Sequence, residues 1–171
     1  MSQDEQFKQG LQMRKQVMGE AFVEKAFANV DAFTAPLQEF VTRNAWGTSW
    51  CREGLDLKTR SLITLSMLTA LGRSAEIKGH VRGAINNGAS MEEIQEVLLH
   101  AAIYCGMPLT IDAFRSAHEV LKELGKVPED AHAGSSLGQT LAQAQHEQHQ
   151  QLEALRAFWR SRVAVMRGFV L

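Results

Sequence analysis

Apolar residues return at spacings of three and four along nearly the whole of residues 1–128, and no sustained alternation of period two interrupts them. That pattern predicts helices and no sheet. A first helix is expected over about residues 5 to 18. Asp31 is placed to cap a second, whose apolar positions Phe33, Leu37, Phe40 and Val41 fall on one face and which leads into Trp46-Gly47. Thr48 to Leu57 has no period and reads as a loop before a helix that begins around Leu57 to Thr59. The Leu-, Ile- and Met-rich stretch to Leu71 stops at Gly72, after which Ser74 is positioned to cap a helix running to about Asn86. Asn86-Asn87-Gly88 is a strong stop, because Asn and Gly tolerate the left-handed conformation that ends helices. Ser90-Met91-Glu92-Glu93 is a capping box that starts a helix reaching about Tyr104, and Gly106-Met107-Pro108 ends it. A last helix is expected from about Leu109 to Leu124, with Ile111, Phe114, Ala117, His118, Leu121 and Leu124 along one side. Antiparallel helices of this kind can bury a single core, so the fold class is all-α.

The pattern changes after Pro128. All three prolines lie at or before that position, whereas residues 129–171 carry three of the six histidines (His132, His146, His149) and a Gln-, Ala- and His-rich run. The expected organisation is a body over 1–128 and an extension over 129–171, where Leu152, Leu155, Trp159, Val163 and Met166 recur at helical spacing among Arg156, Arg160, Arg162 and Arg167. Such a basic amphipathic helix fits docking on the body or a neighbouring subunit better than an anionic membrane. His146 and His149 lack a third ligand and read as solvated rather than metal-binding.

Composition narrows the function classes. With 171 residues, 45% of them apolar, one compact domain is the default. Eighteen Lys and Arg against nineteen Asp and Glu leave a net charge of −1, without the basic footprint of a nucleic-acid binder. The longest apolar-rich run, Leu62 to Leu71, has ten residues and three hydroxyls, well short of the roughly 20 that span a bilayer. The first 25 residues carry charges throughout and offer no apolar signal region, so the expected location is the cytoplasm. Cys51 and Cys105 match neither a disulfide framework nor a zinc site and are expected to be reduced thiols.

Three windows could carry chemistry. On a helix, Glu76 and His80 stand four apart on one face, close enough for the carboxylate to orient and bias the imidazole, although ordinary solvated helices carry the same spacing. Arg43 to Arg52, with Trp46 and Trp50 between them and Arg60 following, could bind a small anion through guanidinium groups, although tryptophans at a helix end also simply pack. In the third, Tyr104 could donate a hydrogen bond, and Cys105 stands at a helix C-terminus where the dipole disfavours a thiolate.

Taken in order, Gly10 to Arg14, Arg43-Asn44-Ala45-Trp46-Gly47, Trp50, Arg52, Thr59-Arg60-Ser61-Leu62, Glu76 with His80, Asn86-Asn87-Gly88, Glu93-Ile94 and Ile103 to Pro108 resemble the γ-carboxymuconolactone decarboxylase family over about residues 5 to 125. The resemblance implies an alkylhydroperoxidase D-like helical bundle, here with an extra C-terminal helical tail, and a homo-oligomer, commonly a hexamer. It implies a cofactor-free and metal-free enzyme of protocatechuate breakdown, the β-ketoadipate pathway, that converts 4-carboxymuconolactone, a small anionic lactone, into 3-oxoadipate enol-lactone and carbon dioxide. The family's Glu and His fall on Glu76 and His80, with His80 as proton donor. Its Trp and Arg positions fall on Trp46, Arg52 and Arg60 as substrate-binding groups.

Two other classes remain open at this point. Thiol-dependent peroxidases and disulfide reductases of the same fold use Cys-x-x-Cys beside a His, but Ile77-Lys78-Gly79 before His80 holds no cysteine. A non-catalytic oligomeric binding protein would keep the fold without the Glu76/His80 pair.

Overall fold

The computed structural model describes residues 2–128 and 136–168, and among them the backbone is helical nearly throughout, with no strand. The chain divides into two compact units, Met1–Val127 and Pro128–Leu171. The first holds α1 (Gln3–Met18), α2 (Glu20–Ala28), α3 (Ala35–Val41), a π-helix (Thr42–Ser49), α4 (Leu57–Ala70), α5 (Ser74–Asn86), α6 (Met91–Cys105) and α7 (Met107–Glu123). The second holds one helix, α8 (Ser136–Gly168), whose Leu141, Leu152, Leu155 and Phe158 are each about half exposed. His132 lies outside the described residues. No helix among the described residues is long and apolar enough to cross a membrane.

Local chemistry sets several helix starts. Ser2 Oγ accepts from the Glu5 amide at 3.2 Å, and Asp56 Oδ1 accepts from the Thr59 amide at 2.8 Å. The capping box forms as expected: the Glu93 amide donates to Ser90 Oγ (3.1 Å) and the Ser90 amide donates to Glu93 Oε2 (2.9 Å). Asn86 and Asn87 do more than end α5. Asn86 Nδ2 donates to the Val17 carbonyl (3.0 Å) and Asn87 Nδ2 to Ser61 Oγ (2.9 Å), which ties the end of α5 to α1 and α4.

Four details differ from the sequence reading. Gly19, at φ 90°, breaks the chain between α1 and α2, a helix the sequence reading did not include. Asp31 Oδ1 accepts from the amides of Phe33 (3.1 Å) and Thr34 (2.9 Å), closing a turn; α3 starts only at Ala35, and its Phe40 and Leu37, with Phe33 before it, are 60% or more exposed. Ser74 is the first helical residue of α5 rather than its cap, which is Arg73 with no side-chain bond. On α7 the buried line runs through Thr110, Ala113, Ser116, Ala117, Val120 and Leu121, whereas Ile111, His118 and Leu124 are exposed. Small residues there admit close helix packing, and counting large apolar side chains overlooks them.

Two apolar clusters result. Leu65, Ile77, Val81, Ile94, Leu98 and Val120 close one between α4, α5, α6 and α7; Val17, Met18, Val23, Trp46 and Trp50 close the other between α1, α2 and the π-helix. Each fully buried Leu, Ile or Val contributes about 1.5–3 kcal/mol, against about 1 kcal/mol for a helix cap, so packing positions the helices and caps only fix where they begin.

The second cluster depends on an unusually close approach. A Cβ on Gly10 of α1 would lie 2.0 Å from the Thr42 carbonyl oxygen and 2.7 Å from the Gly47 nitrogen, and a Cβ on Gly47 would lie 2.4 Å from the Gln6 carbonyl oxygen. The obstructing atoms are backbone and cannot swing aside. Gly10→Ala and Gly47→Ala are therefore expected to destabilise by at least the roughly 1–3 kcal/mol of core overpacking. Gly54→Ala, which meets nothing within 4 Å, should stay within about 0.5 kcal/mol. Urea unfolding midpoints of the three variants check the contrast; equal midpoints would refute the close-approach argument.

Candidate active site

The π-helix is the local feature that builds the site. Its last turn is closed by the Trp50 amide on the Ala45 carbonyl five residues back (3.0 Å), and Trp46 and Trp50, four apart, stand on the same side. Their rings stack with centroids 4.8 Å apart and an interplanar angle of 23°. The sequence reading had placed Thr48 onward in a loop; the π-helix instead runs to Ser49 and a turn follows. Cys51 Sγ donates to the Trp46 carbonyl at 3.2 Å, and both cysteines are free and partly buried.

His80 of α5 joins this pair. Its ring lies 6.4 Å, centroid to centroid, from each tryptophan, nearly parallel to Trp46 (3°) and tilted 22° from Trp50. Gly79 and Gly83 let α5 approach α1 closely enough for this: a Cβ at Gly79 would stand 3.0 Å from Met18 Cε and one at Gly83 3.2 Å from Val17 Cγ1. His80 Nδ1 is buried with no hydrogen-bond partner. As an acceptor it lacks a donor and as a donor it lacks an acceptor, so placing a second proton on the ring is opposed. Burial accordingly holds the imidazole below the ordinary histidine pKa, with the charge of Glu76 pulling the other way.

Glu76 sits one turn earlier on α5, and its carboxylate is engaged by the Arg73 guanidinium, the main reason it stays below the usual carboxylate range. The structure thus brings Glu76 and His80 together through charge, while the hydrogen bond of Glu76 goes to Arg73.

The expected arginines are placed differently from one another. Arg60 Nη2 donates to the carbonyls of Arg52 (2.9 Å) and Leu55 (3.4 Å), so this guanidinium holds the turn between the π-helix and α4 in shape, and its Nε is buried and unpaired. Arg52 is exposed. Arg14 of α1, which the windows of candidate chemistry leave out, is only 9% exposed, against the π-helix: its Nη1 donates to Gln38 Oε1 (2.9 Å) and Thr42 Oγ1 (3.3 Å), and its guanidinium carbon lies 5.6 Å from the Phe27 ring centroid. The signal was available, because Arg14 falls in line with Phe7, Leu11, Val17 and Met18 on the apolar side of α1.

Comparison with known proteins fits this geometry. The profile of the carboxymuconolactone decarboxylase family matches residues 35–119, which includes the π-helix and α5. The chain is 42% identical over 129 residues to the 4-carboxymuconolactone decarboxylase of Acinetobacter baylyi, covering 75% of this chain and 96% of that one. It is 45% identical over 118 residues to the nitrosuccinic acid decarboxylase of Metarhizium robertsii, covering 69% of this chain and 82% of that one. With nearly the full length of the bacterial protein matched, the chain belongs to the carboxymuconolactone decarboxylase family.

Proposed function

We propose that this chain is a carboxy-lyase that decarboxylates 4-carboxymuconolactone to 3-oxoadipate enol-lactone in protocatechuate catabolism. The observation that carries the reading is the identity with the Acinetobacter baylyi enzyme across 96% of its length, with the His80 site inside the matched region.

The chemistry suits such a site. When the ring carboxylate leaves as carbon dioxide, the electron pair of the broken carbon–carbon bond passes through the ring double bond into the lactone carbonyl. Protonation of the resulting dienolate at the carbon beside the carbonyl leaves a double bond next to the ring oxygen, the enol-lactone; one proton is consumed for each carbon dioxide released. The substrate is its own electron sink, so the reaction needs no cofactor. Nitrosuccinic acid shares the logic, since a nitro group can hold the electron pair, and it too carries two carboxyl groups; its identity of 45% makes it the second substrate to assay.

In this reading His80 delivers the proton and Glu76 biases it toward its charged form. The apolar Trp46–Trp50 wall excludes water from the dienolate, which strengthens every charge interaction made there. Trp46, Arg52 and Arg60 contribute as the substrate-side wall and the turn that supports it. The enzyme works in the cytoplasm as a homo-oligomer, a hexamer by resemblance, and exposed apolar side chains at the α6–α7 junction support assembly: Ile103, Tyr104 and Met107 are 74%, 77% and 60% exposed.

Mixing the purified chain with 4-carboxymuconolactone should release carbon dioxide and form enol-lactone far faster than buffer; no acceleration with this lactone or with nitrosuccinate would refute the reading. His80→Ala should lower kcat by at least about 10²-fold while circular dichroism stays unchanged. Because the donor must be protonated, kcat/KM should be high at acid pH and fall as pH rises through the depressed pKa of His80, below the ordinary histidine value. Glu76→Gln removes the one influence that raises that pKa, so the falling limb should move further toward acid; a shift toward alkali would contradict the assignment. Light-scattering mass of the native chain should exceed one subunit, and a monomer would remove the assembly from the proposal.

A further inference from the structure

The first unit contains seven arginines, and their partners sort them. Arg43 pairs with Glu39 (2.7 Å), Arg115 with Asp112 (3.0 Å), Arg73 with Glu76 and Arg82 with Glu123. Arg52 is exposed, and Arg60 spends its Nη2 on two backbone carbonyls. Arg14 is 9% exposed, and its hydrogen-bond partners among the described residues are the neutral Gln38 and Thr42. A guanidinium is always charged, and a buried charge facing only neutral groups is costly unless something compensates it.

The free part of Arg14 has a shape. Both of its hydrogen bonds, to Gln38 and Thr42, leave from Nη1. Nε and Nη2 carry none among the described residues. Nε and Nη2 together form the side of the guanidinium that takes a carboxylate with two parallel hydrogen bonds. Arg60 cannot present this edge, since its Nη2 is occupied. Gln38, Thr42 and Phe27 hold the Arg14 plane fixed from the other sides, which lowers the entropy lost when an anion docks.

Through Thr42, Arg14 is tied to the π-helix that carries Trp46. Arg14 lies one turn, about 6 Å along the axis, from Met18, whose Cε borders Gly79 beside His80. Its partner Thr42 precedes Trp46 by four residues in the π-helix.

We propose that Arg14 is the carboxylate anchor of this site, gripping the carboxylate that the substrate retains through its Nε–Nη2 edge. The leaving carboxylate is excluded from this role because tight ground-state binding would slow its loss. The identity of the ligand rests on the decarboxylase reading; the anion site does not. The test uses the full chain, with glutarate as an unreactive dicarboxylate probe. In the unaltered protein, glutarate up to 10 mM should shift the NMR signals of the Gln38 side-chain amide and of Thr42. Arg14→Lys keeps the charge but loses the fork, and with Arg14→Gln it should abolish that response and raise KM for the lactone about 10- to 100-fold, with the smaller change in kcat. Unmoved Gln38 and Thr42 signals, or a folded Arg14→Lys whose KM stays within about threefold, would overturn the anchor. Should neither variant fold, the titration of the unaltered chain decides alone. Glutarate binding at Arg14 in a chain that turns over neither lactone nor nitrosuccinate would keep the anion site and discard the decarboxylase reading.

Discussion

The backbone contact between α1 and the π-helix is the constraint on which the site depends. Gly10 and Gly47 have no side chain to keep the two helices apart, and the atoms each would strike are peptide oxygen and nitrogen. At that separation the tryptophans of the π-helix reach across to Val17, Met18 and Val23 and are almost fully buried, Trp46 at 5% and Trp50 at 8% exposure. The π turn carries a less favoured hydrogen-bond pattern than an α turn, and the buried aromatic area of the stacked tryptophans offsets that cost.

From this contact the electrostatics of the site follow. Once Trp46 and Trp50 wall one side of His80 and α1 closes against Gly79 and Gly83, the imidazole loses solvent around Nδ1 and its protonation becomes unfavourable. Glu76 counters this from one turn away, but its carboxylate is shared with Arg73, which moderates the pull. The arrangement leaves His80 sensitive to any further negative charge brought nearby. A dianionic substrate would bring that charge, so under the proposed role of His80 as proton donor, binding itself favours the protonated form. In that proposed role the pKa governing kcat is expected above that governing kcat/KM, since the first reports the complex and the second the free enzyme.

The sequence made some elements legible and hid others for physical reasons. Ser90 with Glu93 and the Asn86-Asn87-Gly88 stop are local chemistry, written in adjacent residues, and the helices they bound are where the pattern puts them. Pairing Glu76 with His80 needed only the helical repeat. The π-helix was not legible as such: up to Gly47 its residues read as the end of the preceding helix and from Thr48 as loop, because its wider turn departs only gradually from the α period. Packing through small residues was also hidden: Ala113, Ser116 and Ala117 are buried on α7 while Ile111 is 48% exposed. Arg14 was overlooked because a charged residue in an apolar stripe is easily counted as an interruption of the stripe, when its burial is the informative fact.

The same lesson bears on which arginines meet substrate. The family resemblance points to Arg52 and Arg60, one inside and one just after a segment without period, where loops commonly carry function. Yet Arg60 already has acceptors in the carbonyls of Arg52 and Leu55, and a guanidinium that secures a turn is not free to move onto a ligand without releasing it. Arg52, exposed, would surrender full hydration and side-chain freedom to bind an anion, which is why exposed ion pairs contribute so little. For Arg14 both costs were met when the chain folded: the guanidinium is already largely desolvated, lowering its pKa, and already oriented by Gln38, Thr42 and Phe27. An incoming carboxylate at the proposed anchor would then gain a strong interaction with little further loss, because Arg14 is a buried charge without a carboxylate partner among the described residues.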